Sequence, residues 1–158
     1  MRHEGLALGF TAKAPVSWEQ LSWFDRRGSS LGEEICIVKR QHFFVRGLIQ
    51  VPINDRRTPF VWNVWTSLSP EAFQTMLDRW PAPDRAADPP YEGLLGNELS
   101  VGYAGTLNLK LIVQTRDPGQ RPNLELEPAD HQLAIDQRNG ISIDRVREIN
   151  SLLLHSKG

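Results

Sequence analysis

The stretch from Leu107 to Glu127 leaves little freedom in how it folds. Leu107, Leu109, Leu111 and Val113 alternate with Asn108, Lys110, Ile112 and Gln114; Asp117-Pro118-Gly119 follows, and then Leu124 and Leu126 alternate with Asn123, Glu125 and Glu127. Successive side chains of a strand point to opposite faces, so this pattern makes two strands with one apolar face each. Folding about the Asp-Pro-Gly turn sets Val113 against Leu124, Leu111 against Leu126 and Lys110 against Glu127. The pairs agree on one register, so the segment is an antiparallel hairpin.

Further strands read upstream. Glu34–Lys39 and Phe43–Val51 flank the loop Lys39-Arg40-Gln41-His42, and a hairpin there pairs Val38 with Phe43 and Cys36 with Val45, with Ile35 opposite Arg46. Both faces of these strands are largely apolar, which places them centrally and covered on both sides. Phe60–Leu68 reads as another strand, with Trp62 and Trp65 on opposite faces. Helices punctuate the strands. Ser17 is expected to cap one, with Gln20 three residues on, Trp18, Leu21 and Phe24 on one face and Gly28 at its end. Ser69 and Pro70 open the clearest one, whose Phe73, Met76, Leu77 and Trp80 share a face assigned to the core. Asp130 is expected to cap a short helix ending near Gly140, and Ser142 a last one with Ile143, Val146, Ile149 and Leu153 inward. The fold class expected is α+β: an antiparallel sheet of five to six strands built from hairpins, packed with three to four amphipathic helices. The Pro-rich stretch from Pro81 to Pro90 reads as an internal loop, so residues 1–158 are expected to form one domain.

Composition narrows the function classes. A formal net charge of −1 argues against a general binder of nucleic acid or anionic membranes. Cys36 is the only cysteine, so no internal disulfide is expected, and it reads as an inert core thiol. No run approaches a membrane span or a signal-peptide core, so a cytoplasmic location is expected. No nucleophile elbow, phosphate-binding glycine loop, zinc-protease helix or paired C-x-x-C motif occurs.

Weaker constellations remain. Glu125, Glu127, Asp130 and His131 lie close enough in sequence to hold a divalent cation or to perform acid/base work. They equally suit a solvent-facing strand edge, an ion pair to Lys110 and a helix cap. Five tryptophans are many for a chain of 158 residues. For Trp62 and Trp65 one face is core, and the other is either a second covered face or an exposed binding platform. Arg46 interrupts an apolar strand, where a guanidinium calls for an acidic partner or a bound anion unless it lies at an edge.

Several stretches together resemble a bacterial family of uncharacterised proteins, domain of unknown function family 2199. They are HEGLALGF, EEICIVKRQHFFVRGLIQVPI, FVWNVWTSLS, PPYEGLLGNEL, TLNLKLIVQTRDPGQRPNLELEP and DHQLAIDQRNGIS, running from His3 to about Ser142. The resemblance implies no established activity. Such proteins often carry a C-x-x-C-G pair just before the position of His3, which would suggest a small zinc site; only His3-Glu4-Gly5 stands here, and a lone His3 makes no structural zinc site. The family positions of interest fall on Arg46, Trp62, Trp65, Tyr91, Glu127, Asp130 and His131, with roles unassigned. The expectation is a non-enzymatic binding or protein-interaction domain without a cofactor, working as monomer or homodimer, with Trp62 or Trp65, Tyr91 and Arg46 as its surface. The alternative is a small metal-dependent or acid/base hydrolase using Glu127, Asp130 and His131.

Overall fold

In the computed structural model, which describes residues 2–3 and 5–156, the chain begins with a two-stranded antiparallel ribbon, β1 (Arg2–His3) and β2 (Leu6–Ala7). Then follow β3 (Gly9–Thr11), the single-turn helices α1 (Val16–Glu19) and α2 (Trp23–Arg26), and strands β4 (Ser30–Leu31), β5 (Ile35–Val38), β6 (His42–Val51) and β7 (Phe60–Leu68). Next come α3 (Pro70–Arg79), a 3₁₀ turn (Arg85–Ala87), β8 (Tyr91–Leu95), β9 (Lys110–Gln114), β10 (Asn123–Leu126), α4 (Gln132–Asn139) and α5 (Ile143–Ser156).

Strands β6 and β7 form the spine, paired without interruption from Phe43 opposite Leu68 to Val51 opposite Phe60. β8 joins the far edge of β7, β9 joins β8, β10 joins β9, and β10 returns to β6. The ring is therefore a closed five-stranded barrel, with β5 and β4 continuing from β6 and β3 lying beside β7. The sheet is mixed and has eight strands, not the purely antiparallel five or six expected. The reason is geometric. A closed ring with an odd number of strands cannot alternate direction all the way round, so one neighbour pair must be parallel; here it is β10 with β6. β3 also runs parallel to β7.

Cross-strand partners share a face, so the register identifies the barrel interior. Val45 lies opposite Thr66, Gly47 opposite Val64, Thr66 opposite Leu95, Gly93 opposite Leu111, and Val113 opposite Leu124. Closure needs two glycines on that inner face. A Cβ on Gly47 would lie 2.7 Å from Cγ of Leu124, and one on Gly93 2.7 Å from Oγ1 of Thr66. The outer face of β6 and β7 is covered by the segment after β3. Ala12 accepts hydrogen bonds from Trp65 Nε1 (3.1 Å) and Arg46 Nη2 (2.7 Å), and Asn97 Nδ2 donates to the Ala14 carbonyl at 2.9 Å.

The hairpin of β9 and β10 has the expected register: Val113 faces Leu124, Leu111 faces Leu126, and the Glu127 N–H donates to the Lys110 carbonyl at 3.0 Å. No side-chain ion pair between Lys110 and Glu127 occurs among the described residues, and Leu107 lies before the strand. The β5–β6 hairpin is displaced by one residue. Ile35 faces Val45, Cys36 faces Phe44 and Val38 faces His42. The cause is the turn: Lys39 and Arg40 both have positive φ (54° and 57°), as a primed turn requires, and Gln41 donates back to Val38 at 3.0 Å. The loop is thus one residue shorter than His42 would make it.

Ser69 and Ser142 cap α3 and α5 as expected, accepting from the N–H groups of Ala72 and Arg145 at 3.1 Å each. The expected helix from Ser17 to Gly28 is instead two separate turns. Ser22 accepts from the Asp25 N–H at 3.1 Å and restarts the chain as α2, a local hydrogen bond that competes with continuing α1. Phe24 consequently faces solvent rather than the core. The cap of α4 is His131, whose Nδ1 accepts from the Leu133 N–H at 3.1 Å; Asp130 lies one residue too early. The segment expected to be all loop before Pro90 contains the 3₁₀ turn, and β8, which carries Tyr91, was not legible as a strand. Among the described residues five helices form rather than three or four, two of them single turns.

Cys36 is fully buried, and burial pushes its thiol up to about 11 from an ordinary value near 9. The folded state therefore holds a proton that the unfolded chain releases first. Stability from this group is intact below about pH 9 and falls as pH rises from there through about 11. A thiol reagent at pH 8 is expected to label Cys36 only after denaturation; stoichiometric labelling of the native protein within minutes would refute its enclosure.

Candidate functional site

One edge of β6 is shared by two strands. The Arg46 N–H donates to the Glu34 carbonyl and the Leu48 N–H to the Pro122 carbonyl, each at 2.9 Å. Between these bonds β5 and β10 part, leaving a fork. Arg121, just before β10, reaches across to Glu34, just before β5, with Nε 2.6 Å from Oε1 and Nη2 2.9 Å from Oε2. A cleft of about 500 Å³ opens here, lined by Glu34, Leu48, Trp80, Arg85, Arg116 and Arg121, with Gly119 and Gln120 at its rim.

The Pro-rich segment after α3 builds one wall. Arg79, in the last turn of α3, binds Asp88 through Nε (3.0 Å) and Nη2 (2.8 Å) and Asp84 through Nη2 (2.8 Å), folding the chain back on itself. The 3₁₀ turn then points Arg85 inward, where it is 3% exposed. Its guanidinium lies 4.6 Å over the Trp80 ring and donates to four carbonyls: Arg116 (2.6 Å), Trp80 (2.9 Å), Asp117 (3.1 Å) and Gln120 (3.1 Å). Arg85 thus clamps the β9–β10 turn onto the end of α3. Both nearby carboxylates are engaged by Arg79, and no carboxylate pairs with Arg85 among the described residues. Trp80, expected in the core, packs against it half-buried and also lines the cleft.

Two further guanidinium groups line the cleft. Arg116 Nε donates to the Arg121 carbonyl at 2.6 Å, and its two terminal nitrogens have no partner among the described residues. Arg121 is held by Glu34, which raises its affinity for the proton, yet its Nη1 is also free of partners there. Three arginines against one glutamate leave the lining with two uncompensated positive charges. Planar guanidinium groups with unused N–H donors are suited to carboxylate or phosphate oxygens.

The residues singled out in the sequence are dispersed. Arg46 is 8% exposed, but its partners are the carbonyls of Ala12 (2.7 Å) and Lys13 (3.2 Å) and the Trp65 ring (4.6 Å), not the acidic side chain expected. Burial lowers its proton affinity, assisted by Arg121 and opposed by Glu34 and Glu33. Trp62 and Trp65 are 1% and 0% exposed, so neither offers a platform. Both sheet faces are covered at β7: Trp62 packs among Phe10, Phe60 and Tyr103, and Trp65 lies under the segment after β3. Tyr91 is half-buried, and its hydroxyl holds its proton above the ordinary range, first through burial and then through Asp88.

Glu127 and Asp130 are exposed. Both ring nitrogens of His131 are engaged, Nδ1 by Leu133 and Nε2, at 2.7 Å, by the Ala104 carbonyl. That pattern puts the proton on Nε2 and makes the imidazole a clip between α4 and the segment joining β8 to β9. Among the described residues no three His, Cys, Asp or Glu side chains gather as metal ligands. The side chain of His3 lies outside the described residues.

Arg85, Arg116 and Arg121 were missed in the sequence. A signal was present: Arg116 and Arg121 flank the Asp117-Pro118-Gly119 turn, so a hairpin brings both to one end. A family model described as an uncharacterized protein conserved in bacteria (DUF2199) matches residues 1–141. The chain belongs to this family. In this DUF2199 protein the match takes in every described strand, α1 to α4 and the whole cleft, and α5 lies beyond it. No curated protein and no solved structure matched the chain. Among the described residues no helix is long and apolar enough to cross a membrane.

Proposed function

We propose that this DUF2199 protein is a binding domain that seats an anionic group, a carboxylate or a phosphate, in the arginine-lined cleft at the strand fork. The observation that carries this reading is the lining itself: three guanidinium groups, one carboxylate, and unused donors on Arg116 and Arg121. Arg116 and Arg121 are only partly buried, so their unused donors are open to an incoming anion, which would balance the positive charge left by the single carboxylate. Leu48 and Trp80 add an apolar wall, so a ligand with an apolar body and an anionic end fits best. Binding is favoured over turnover because the cleft's carboxylate is already held by Arg121. The anion could belong to a protein partner or to a small molecule; the chemistry is shared.

Thermal unfolding in inorganic phosphate and, separately, in glutarate tests this, with chloride at matched ionic strength as the reference. A ligand at a hundredfold its Kd adds about 2.7 kcal/mol, which raises Tm by several degrees in a domain of this size. The Arg116→Gln variant is expected to lose that increment, read against its own Tm in chloride. A response to phosphate alone would identify a phosphoryl ligand, and to glutarate alone an acidic side chain or chain terminus. Equal shifts in wild type and Arg116→Gln, or none with either anion, would refute the proposal.

A further inference from the structure

A second feature lies apart from the cleft. Trp23 and Phe24, adjacent on α2, are 76% and 72% exposed, the two most exposed aromatic side chains of the described residues. The Ser22 cap holds this turn, and the turn is tied to the β5–β6 loop: the Lys39 N–H donates to Ser29 Oγ at 2.8 Å, and Lys39 Nζ lies 3.6 Å from Asp25 Oδ2. Arg27 and Lys39 are therefore placed with the two aromatics beside Asp25, exposed Arg40 follows Lys39 in the same loop, and exposed Arg26 lies 5.5 Å over the neighbouring Trp18 ring. Arg27 lies 5.6 Å over the Trp23 ring, so cation and aromatic present themselves together.

We propose that this tip docks the protein on an anionic lipid surface. Adjacent large aromatics left in water are unusual unless something covers them. Three candidates for that cover differ in physics. A second copy would bring one basic tip against another, which like charge opposes. A folded protein partner must supply a pocket shaped to a protruding pair. A lipid headgroup layer needs no preformed shape: aromatic rings settle at the interface, while Lys and Arg meet anionic headgroups. Charge complementarity and the protruding geometry therefore favour the bilayer. The net charge of −1 does not oppose this, because the attraction acts within a Debye length of the tip and not through the whole molecule.

Sedimentation with vesicles of phosphatidylcholine alone and of phosphatidylcholine with phosphatidylglycerol tests the proposal, with the full chain as the sample. Binding is expected only to the anionic vesicles, weakening with added salt and shifting tryptophan emission to the blue. The W23S/F24S variant is expected to partition at least about tenfold more weakly. The R26Q/R27Q/R40Q variant is expected to bind about a hundredfold more weakly. All of these positions are exposed, and unchanged melting temperatures would show that the fold is intact. The proposal is overturned if folded wild type ignores anionic vesicles, or if W23S/F24S binds as well as wild type. It is equally overturned if Arg116→Gln abolishes binding, which would move the seat to the cleft. Capture of polyglutamate through Trp23 and Phe24 without vesicle binding would replace the bilayer by an acidic protein segment.

Discussion

The Trp65→Ala variant is expected to lose about 3–5 kcal/mol of unfolding free energy. Trp65 is fully buried on the outer face of the barrel spine, where its indole is the surface on which Arg46 lies at 4.6 Å. Its Nε1 and Arg46 Nη2 converge on the single carbonyl of Ala12. Truncation removes the largest apolar surface on that side and leaves a cavity. It also strips cover from a guanidinium whose Nε is buried without a partner. Relaxation around the cavity is limited, because the Trp65 backbone is paired to Arg46 in β6 and its N–H donates to Asn97 at 2.9 Å. Urea denaturation measures the effect as a lower midpoint at an unchanged slope. A loss below about 1 kcal/mol would mean that the outer face is not packed as described, because such a value is typical of uncritical surface sites.

The Arg85→Ala variant is expected to be destabilised by on the order of 3 kcal/mol and to lose the anion response altogether. Four carbonyls depend on this one guanidinium, and three of them belong to the β9–β10 turn. Without the clamp, the turn separates from the end of α3, and Arg116 no longer faces Trp80 across a closed wall. The Arg85→Lys variant discriminates between charge and geometry. An ammonium keeps the positive charge but has three donors on a flexible stem, and it cannot span the same four carbonyls as a planar fork. Arg85→Lys is therefore expected to behave like Arg85→Ala in the phosphate and glutarate melts. Full retention of the anion response in Arg85→Lys would show that charge alone matters and that the clamp does not shape the cleft.

The same distinction explains what could be read from the residues. The β9–β10 hairpin was legible because period-two alternation, a turn triplet and several cross-strand pairs all point to one register. The α3 helix was legible for a similar reason, with Ser69, Pro70 and the apolar face of Phe73 and Met76 in agreement. The β5–β6 register was not, because apolar residues on both faces of both strands allow a slip of one without an obvious conflict. Turn backbone angles at Lys39 and Arg40 decided it. Trp23 and Phe24 were placed in one helix running on from Ser17, but the first turn ends at Glu19 and Ser22 caps a second. Arg46 was recognised as unusual, but its partners are carbonyls from a segment more than thirty residues away in sequence, and no local pattern announces them.

By itself the sequence determined the β9–β10 hairpin, α3, the α+β class and membership in the DUF2199 family, because these follow from residue preferences and short-range pairing. Barrel closure, the parallel return of β10 to β6 and the cleft at the strand fork were decided only by tertiary structure. Closure is a property of the whole ring, set by how Gly47 and Gly93 let distant strands approach. The cleft joins Glu34, Trp80, Arg85 and Arg121, residues that no spacing rule connects and that meet only where two strands part from a third.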